Sequence, residues 1–320
     1  LEFRRVLFRS GSADLIARLH DPACYPHPTE TIRLIETHIS WVLLTGQWAY
    51  KIKKPVELPF ADFSTLALRR RFCELELTLN RRFAGDLYDA VLPIGASPDG
   101  PRIGGEGPVL DYAVRMRQFD PDITLDAVLA RGELTVKTAT QLGDQVASAH
   151  AQAPIPPPDS PFGTLEVVHQ QLIDCLAPLA PLLGEQEAGR LEAACRSALA
   201  RVGPVVERRR RECRVRECHG DLHLRNIALL DDGPTLFDCI EFAPELRWID
   251  TASELAFLHM DLGVHGAHAL AAHFLNRYLE ASGDYGSLEV LGLFSAYRAL
   301  VRAKVEAIRL GQTGERAPDE

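Results

Sequence analysis

Residues 219–226 read HGDLHLRN, and Phe237-Asp238 follow them at the end of the next predicted hairpin. Within this stretch the carboxylate of Asp221, the amide of Asn226 and the carboxylate of Asp238 come in that order. Transfer of a phosphoryl group to a hydroxyl requires a carboxylate that accepts the hydroxyl proton, an amide that binds a metal ion, and a second carboxylate that joins this ion to the phosphates. The interval from Asp221 to Asn226 equals that of the protein-kinase catalytic loop. The stretch therefore predicts a phosphoryl-transfer centre.

The surroundings of this stretch are those of a loop between short strands. Val215–Cys218 predicts a strand that leads into it, and Ala228–Leu230 and Thr235–Asp238 predict a hairpin with an Asp-Asp-Gly turn. Taken singly, each Asp or Asn here has a structural explanation, because these residues often close turns and end strands. Three of them in the order that phosphoryl transfer requires are better explained by chemistry.

The first third of the chain predicts a small antiparallel sheet with one helix. The helix is Phe63–Phe83, whose apolar residues recur every three or four positions, and Asp62 or Ser64 can cap it. A segment rich in glycine and proline, Ser97–Pro108, predicts a long hairpin. The predicted strands are Thr31–Glu36, Trp41–Thr45, Trp48–Lys53, Ala90–Ile94 and Val109–Met116.

From Thr124 onward the apolar spacing becomes helical. Five prolines between Pro154 and Pro161 interrupt it and predict a loop or an insertion. Arg208–Arg211 ends one helix, and we interpret this run as a solvated helix end rather than a binding patch. The predicted helices are Leu165–Leu183, Glu185–Arg211, Ile249–Met260, Ala267–Ala281 and Ser287–Leu310.

The stretch His219–Phe242 resembles the catalytic and metal-binding motifs of the aminoglycoside phosphotransferase and choline kinase superfamily. Members of one bacterial branch of this superfamily are often fused at the C-terminus to a P-loop ATPase or gluconate-kinase-like domain. Four shorter segments resemble that branch: residues 37–40 (THIS), 49–55 (AYKIKKP), 79–82 (LNRR) and 246–250 (LRWID).

The resemblance implies an α+β, bilobal protein-kinase-like fold, with a small N-terminal lobe built on an antiparallel sheet and a larger, mainly helical C-terminal lobe. We assign residues 11–118 to the nucleotide-binding lobe and residues 119–320 to the catalytic and acceptor-binding lobe. The resemblance also implies an enzyme, a small-molecule kinase that uses ATP and Mg²⁺ and transfers the γ-phosphoryl group to a hydroxyl of a small molecule. The sequence does not specify this acceptor.

The resemblance assigns the roles in the centre position by position. Asp221 is expected to be the catalytic base, and Asn226 and Asp238 are expected to be the magnesium ligands. His219 is expected to order the loop. His223 either contacts phosphate or orders the same loop.

Secondary roles are expected for residues around the centre. Arg247 and Asp250 are expected to anchor the loop, and Glu241 to support the metal shell or the acceptor. A glycine-rich phosphate loop of the G-x-G-x-x-G type is missing, so the resemblance makes Ser40 a candidate contact of the β-phosphate, with a simple turn residue as the alternative. Backbone groups of Arg115–Phe119 are expected to bind adenine.

The predicted sheet must also supply a cation for the α- and β-phosphates. Lys51 and Lys53 share one face of their strand with Ala49, because side chains alternate along a strand. We predict Lys51, since kinases place a small residue two positions before this lysine, and Lys53 is then a secondary phosphate contact or a solvent-facing neighbour. Glu74 and Glu76 compete to pair with the lysine, about 200° apart around their helix. Glu76 is preferred because it lies nearer the buried edge.

Composition and net charge argue against some classes of binding partner. A net charge of −9 and a pI of about 5.7 oppose binding to nucleic acid or to an acidic membrane surface. No apolar run is long enough to span a bilayer. Seven cysteines without a C-x-x-C pair predict reduced thiols in a cytoplasmic protein, and a structural zinc is not expected.

The sequence also leads to a prediction for each end of the chain. Residues 1–10 read LEFRRVLFRS and resemble the translation of a sequencing adapter, so we expect an artefactual leader. The sequence contains no P-loop of the form G-x-x-x-x-G-K-[ST]. We expect that the chain is truncated before a further domain, which would carry a fused P-loop.

Two other functions remain open. A kinase-like module would bind nucleotide and regulate a C-terminal P-loop partner, and the missing glycine-rich loop favours it. A metallohydrolase that uses His219, Asp221 and His223 would need a further set of ligands, which the sequence does not supply at a suitable spacing. The retained triplet of Asp221, Asn226 and Asp238 favours the phosphotransferase.

Overall fold

The chain divides into two units in the computed structural model, which describes residues 10–58 and 60–313. The first unit contains the residues up to Ile123 together with Thr235–Pro244, and the remaining residues form the second unit. The predicted leader lies outside the described residues except for Ser10. The predicted domain boundary after residue 118 stays a prediction.

Eight strands belong to the first unit: β1 (Arg33–Glu36), β2 (Ser40–Leu44), β3 (Trp48–Lys53), β4 (Glu57–Leu58), β5 (Ala61–Asp62), β6 (Tyr88–Ser97), β7 (Gly100–Ile103) and β8 (Val109–Arg117). Six of them form one antiparallel sheet in the order β1-β2-β3-β8-β6-β7, and β4 pairs with β5. The strand β7 was not predicted. It forms because the chain turns at Pro98 and Asp99, so that Gly100 pairs with Ser97.

The described part of the first unit also contains two α-helices, α1 (Ser10–Arg18) and α2 (Leu66–Ala84). The cap of α2 is Thr65, whose hydroxyl accepts a hydrogen bond from a backbone N–H in the first turn at 3.2 Å. The predicted caps were therefore wrong, and Asp62 instead accepts the backbone N–H of Ser64 at 2.9 Å. α2 packs against β6 and β8.

The alternation of side chains along β3 separates an apolar face from a charged one. Tyr50 and Ile52 are buried in an apolar cluster with residues of α1. Lys51 and Lys53 alternate with them and lie on the face that α2 covers, where Cys73 of α2 is buried. The sheet thus directs two lysines toward one side of α2.

The rest of the chain is mainly helical, and its predicted break at Pro154–Pro161 is a loop. Its short strands are β9 (Val215–Glu217), β10 (Ile227–Leu230), β11 (Gly233–Leu236) and β12 (Trp248–Asp250), with β9 paired to β12 and β10 to β11. Its helices are α3 (Leu125–Ala130), α4 (Val136–Gln152), α5 (Leu165–Leu176), α6 (Ala180–Leu183), α7 (Glu185–Arg211), α8 (Pro244–Arg247), α9 (Thr251–Val264), α10 (His268–Ser282) and α11 (Leu288–Thr313).

The helix α9 is buried in the core of the second unit. Ala252, Leu255, Ala256, Phe257 and Leu258 have no exposed surface, and α10 and α11 both pack against this helix. A helix that is apolar around most of its circumference is stable only when other elements cover it. α9 is therefore a fixed support for whatever contacts its polar side chains.

The arginine run at the end of α7 is not solvated as a whole, contrary to the prediction. The guanidinium of Arg209 is buried and donates two hydrogen bonds to Asp250 and two to Asp284, all at 2.8 Å. Arg210 donates to two loop carbonyl oxygens, whereas Arg208 lies at the surface. The run holds three parts of the second unit together, because β12 ends at Asp250 and Asp284 lies between α10 and α11.

The predicted α+β class is confirmed, with an antiparallel sheet in the first unit and helices in most of the second. Within the described residues, no helix is both long and apolar enough to cross a membrane. All seven cysteines are free thiols. The cytoplasmic location stays a prediction.

Candidate active site

Lys51 lies at the centre of a group of charged residues in the first unit. Its Nζ is 2.8 Å from Glu76 Oε1 on α2 and 2.5 Å from Asp238 Oδ1 in the segment that follows β11. The Asp238 side chain is 45% exposed, so a ligand can reach it. The structure thus brings together three residues that the sequence analysis named separately.

Neighbouring carboxylates keep Lys51 charged. Burial disfavours its ammonium ion, but the carboxylates of Asp238, Glu76 and Glu241 raise the pKa of Lys51 well above its usual value. Burial acts against the charge of Glu76 as well, yet Lys51 and Lys53 lower the pKa of Glu76 below its usual value. Both groups are therefore ionised at neutral pH, and the site presents a fixed cation beside an accessible carboxylate.

Lys53 is buried, and the alternative that it faces solvent is wrong. Its Nζ donates a hydrogen bond to Glu76 Oε2 at 2.7 Å and another to Glu241 Oε1, and its side chain has no exposed surface. The reason is the position of α2, which covers this face of β3. Whether Lys53 contacts phosphate stays a prediction.

The backbone around Asp238 is held by two side chains to which the sequence analysis gave no role. Asp238 has a φ of 64°, a left-handed conformation that Asp tolerates better than most residues. Its N–H donates to Tyr88 Oη at 3.1 Å, and the N–H of Cys239 donates to Asn80 Oδ1 at 2.8 Å. The sequence could have indicated that Asn80 lies near the site, because it follows Glu76 by one helical turn and therefore lies on the same face of α2.

Two other predicted contacts have different surroundings. Glu74 lies on the surface of α2, where it accepts a hydrogen bond from Arg70 at 2.8 Å. Ser40 is buried and pairs with Lys53 across β2 and β3, and its Oγ has no hydrogen-bond partner among the described residues. The roles of Glu74 and Ser40 in nucleotide binding stay predictions.

The loop of the second unit brings Asp221, His223 and Asn226 into contact. The Nδ2 of Asn226 donates to Asp221 Oδ2 at 3.0 Å and to the Asp221 backbone oxygen at 2.9 Å, and His223 Nε2 lies 3.3 Å from the same Oδ2. Burial disfavours ionised Asp221, but His223 foremost, with His219 and Arg298, lowers the pKa of Asp221 well below its usual value. Asp221 is therefore an anion at neutral pH, and the oxygen of the Asn226 amide is the atom suited to a metal ion.

Two carboxylates on α9 hold this loop by its backbone. Glu254 accepts the N–H of His219 at 3.0 Å with Oε1 and the N–H of Gly220 at 2.6 Å with Oε2. Asp261 accepts the N–H of Leu224 at 2.9 Å. The sequence analysis missed both carboxylates. The sequence could have indicated them, because Glu254 and Asp261 lie two helical turns apart, and so on one face, within an otherwise apolar helix.

Gly220 has a backbone conformation that requires glycine. Its φ is 89°, and a Cβ there would lie 2.9 Å from the backbone oxygen of Leu246. Its own carbonyl oxygen accepts a hydrogen bond from Nη1 of the buried Arg298 at 3.0 Å. The peptide groups on both sides of Gly220 are thus fixed, and Asp221 follows directly.

The predicted loop anchors lie close to the strand that leads into the loop. Arg247 donates to Glu217 of β9 at 3.1 Å, and its backbone oxygen accepts the N–H of Cys218 at 2.8 Å. Asp250 caps α9 through the N–H of Ala252 at 2.8 Å. Their anchoring role stays a prediction, with these contacts in its favour.

One group of potential metal ligands occurs in the second unit, within the residues that the structure describes. Ligand atoms of His150, Cys218 and Glu254 all lie within 4.8 Å of one another. These atoms already have protein partners, because His150 bonds to Tyr278 and Glu254, Glu254 accepts the loop amides, and the Cys218 thiol donates to a backbone oxygen. The group therefore supports the loop.

The sequence model of the phosphotransferase enzyme family (APH) matches residues 86–291, more than half of the chain. The match includes the loop with Asp221 and Asn226 and the segment with Asp238. The chain belongs to the phosphotransferase enzyme family. This confirms the predicted resemblance at the level of the family, which is a family of phosphotransferase enzymes.

Two curated relatives are longer than this chain. Uncharacterized proteins of Mycobacterium tuberculosis (strain H37Rv) and Mycobacterium bovis (strain AF2122/97) are 32% identical to it over 300 residues. These alignments cover 92% of this chain and 59% of each relative. The chain thus spans about three-fifths of the length of the curated relatives it matches.

Two solved structures share the fold of this chain. A choline/ethanolamine kinase family protein of Mesorhizobium loti has a TM-score of 0.53 at 11% identity, covering 97% of this chain and 89% of that one. A choline kinase of Cryptosporidium parvum Iowa II has a TM-score of 0.54 at 9% identity, covering 95% and 97%. Identities this low establish the fold alone, and the predicted protein-kinase-like fold is confirmed.

Proposed function

We propose that this phosphotransferase transfers the γ-phosphoryl group of ATP to a hydroxyl group of a small molecule. The contact of Lys51 with both Glu76 and Asp238 carries the proposal. A phosphate-binding cation, the carboxylate that fixes it and a carboxylate for the metal ion are the parts that kinases combine around the nucleotide. Here all three are neighbours in one unit.

Asp238 and Asn226 are each proposed as a ligand of Mg²⁺. Asp238, in the first unit, offers a carboxylate oxygen, and Asn226, in the second, offers an amide oxygen, which are ligands that this ion prefers. The accessible side chain of Asp238, on a backbone fixed by Tyr88 and Asn80, fits this role. Bound Mg²⁺ neutralises charge on the phosphates.

Adenine is proposed to bind near the end of β8, at the backbone of Arg115–Phe119. A cavity of about 380 Å³ opens there in the first unit, and its lining includes Leu44, Gly46, Gln118 and Phe119. Leu44 and Phe119 in this lining can stack against a base, and Gln118 and Asp120 beside them offer hydrogen-bonding groups.

Asp221 is proposed to receive the acceptor hydroxyl. Its low pKa keeps it anionic, so it accepts a hydrogen bond from the hydroxyl and orients it. Asn226 and His223 fix the orientation of its carboxylate, and α9 fixes the loop. Most of the rate enhancement then comes from positioning, as in other phosphoryl transfers.

The proposed acceptor is a small molecule with an alcohol group. The solved structures of similar fold are named for choline and ethanolamine, which are both amino alcohols. Amino alcohols, sugars and aminoglycosides form the first panel to test, because one fold serves many acceptors.

The alternative function is a nucleotide-binding module that regulates a P-loop partner without transfer of its own. The turn before β2 favours it, since it lacks glycine and its Ser40 hydroxyl is buried. The two functions differ in one measurable respect. A module binds ATP but does not release ADP, whereas the proposed enzyme does both.

The proposal predicts that Asp238→Asn abolishes the effect of Mg²⁺ on nucleotide binding. Asn tolerates the left-handed backbone, so the variant removes the charge with little strain. Isothermal titration calorimetry with ATP, in Mg²⁺ or in EDTA, would show a gain of about tenfold or more with Mg²⁺ for the parent protein only.

Asp232→Asn is the control for this experiment, because Asp232 lies exposed in the turn between β10 and β11. It should keep the full gain with Mg²⁺. An unchanged gain in Asp238→Asn would remove Asp238 from the metal site.

A further inference from the structure

Two lysines on β3, two positions apart, have different surroundings. Lys51 retains some exposure and reaches Asp238, whose side chain is open to solvent. Lys53 has no exposed surface, and its Nζ is occupied by Glu76 Oε2 and Glu241 Oε1 and lies 5.0 Å from the centre of the Phe63 ring. The ammonium of Lys53 is thus enclosed by protein on several sides.

Glu76 connects the two lysines. Its Oε1 lies 2.8 Å from Lys51 Nζ, and its Oε2 accepts a hydrogen bond from Lys53 Nζ at 2.7 Å. One oxygen forms an ion pair with Lys51 and the other accepts a hydrogen bond from Lys53, so turning the carboxylate away disturbs both contacts. The orientation of Lys51 therefore depends on Lys53 through a shared partner.

The charges of the cluster also require a second cation. Glu76 and Glu241 are both buried, and a buried carboxylate without a partner is strongly destabilising. Lys51 is already shared between Glu76 and Asp238. Without Lys53, burial and the charge of Glu76, which already raise the pKa of Glu241, would act on that group unopposed by its closest cation.

We propose that Lys53 is a positioning residue of the nucleotide site and does not contact phosphate. It holds Glu76, which orients Lys51, and it balances the charge of Glu241 beside the Asp238 segment. This inference rests on the proposed function, because it concerns how the same site binds Mg·ATP. In the same arrangement, Glu241 supports the pair of Lys51 and Lys53.

The test is a double-variant cycle of Lys53→Met, Glu76→Gln and the two combined, in the full chain. If Lys53 acts on the nucleotide only through Glu76, its loss has no further effect on binding once the Glu76 carboxylate is gone. We expect Lys53→Met to weaken Mg·ATP binding about tenfold or more. The combined variant should bind within about threefold of Glu76→Gln, as calorimetry would show.

A direct phosphate contact gives a different result in the same cycle. The combined variant would then bind at least about tenfold more weakly than Glu76→Gln, because Lys53 would itself be a phosphate ligand that the loss of Glu76 does not remove. That result would overturn the proposal. The comparison stands even if Lys53→Met alone does not fold. Lys137→Met, the same change at an exposed lysine of α4, is the control and should bind as the parent does.

Urea unfolding separates this proposal from the proposed function. If the parent protein does not bind Mg·ATP, the proposed function fails, and the nucleotide role of Lys53 fails with it. The charge balance between Lys53 and Glu241 then predicts that Lys53→Met combined with Glu241→Gln unfolds at higher urea than Lys53→Met. Equal unfolding midpoints would show that Lys53 does not balance Glu241.

Discussion

At the scale of single residues, the environment of a charge decides what it can do. The two glutamates of α2 show this, because they lie two positions apart on one helix. Glu76 is buried between Lys51 and Lys53, whereas Glu74 is paired with Arg70 at the surface. A buried ion pair is costly to break, and an exposed pair contributes little to stability.

This contrast predicts opposite outcomes for the same substitution. Glu76→Gln should lower the free energy of unfolding by roughly 3–5 kcal/mol and weaken Mg·ATP binding by about tenfold or more, because Lys51 loses its fixed partner. Glu74→Gln is the matched control and should stay within about 0.5 kcal/mol of the parent protein. Urea unfolding and calorimetry measure the two effects. Weaker binding in Glu74→Gln than in Glu76→Gln would reverse the assignment.

Strand alternation predicted only part of this arrangement. It placed Lys51 and Lys53 on the face of Ala49, and the structure has them on one face. Their different burial depends on α2 and on the segment with Glu241, which are distant in sequence, so alternation along β3 carried no information about it. A long-range contact of this kind is set by packing.

At the scale of elements, the helix α9 shows how a loop without regular structure is held. The backbone N–H groups of such a loop need partners when they are buried. Glu254 and Asp261 supply them from one face of α9, two turns apart. A rigid apolar helix thus fixes the loop that carries Asp221.

The helix α7 is attached to the same region by one buried arginine. Arg209 forms paired hydrogen bonds with Asp250, which caps α9, and with Asp284, which precedes α11. Paired bonds of this kind fit the planar guanidinium and hold their partners in a defined geometry. The end of α7 is therefore a structural junction.

Loss of this junction should be measurable as a loss of stability. Arg209→Met should lower the free energy of unfolding by roughly 3–5 kcal/mol, because two buried carboxylates lose their partner. Arg208→Met is the matched control, since Arg208 is exposed and pairs with the exposed Glu289. It should cost at most about 1 kcal/mol. Equal, small losses in urea unfolding of both variants would contradict this account.

The elements themselves were predictable where local pattern decides them. Trp48–Lys53 and Glu185–Arg211 have the predicted bounds, because alternation and helical spacing are continuous within them. The strand Gly100–Ile103 was missed, since its glycine and proline content is typical of loops and only its pairing with β6 makes it a strand. The burial of Arg209 was missed because helical spacing alone does not show which neighbours a side chain meets.

At the scale of the whole molecule, the net charge is negative, whereas the proposed nucleotide site contains local positive charges. The chain carries a net charge of −9, which opposes polyanions in general. The proposed nucleotide site instead has a few local cations, Lys51 and Lys53, which are paired with buried carboxylates. A small anion such as ATP is therefore the proposed partner, and a long nucleic acid is not.

The proposed roles of the site residues divide between the two units. Lys51, Glu76 and Asp238 of the first unit are proposed to bind the nucleotide, and Asp221 and Asn226 of the second to act on the acceptor and the metal ion. Binding and transfer should therefore be separable by substitution, because each depends on different side chains. The curated relatives are longer than this chain. The proposal concerns the activity of this chain, and the activity of a longer protein that contains it would be a separate proposal.

The most direct test is the release of ADP from Mg·ATP by the parent protein and by Asp221→Asn, with binding measured on the same samples. Asn keeps the shape of the side chain but is not a base. The account predicts that Asp221→Asn binds Mg·ATP within about threefold of the parent protein and releases ADP at least about 100-fold more slowly. ADP release by Asp221→Asn at the parent rate would contradict it.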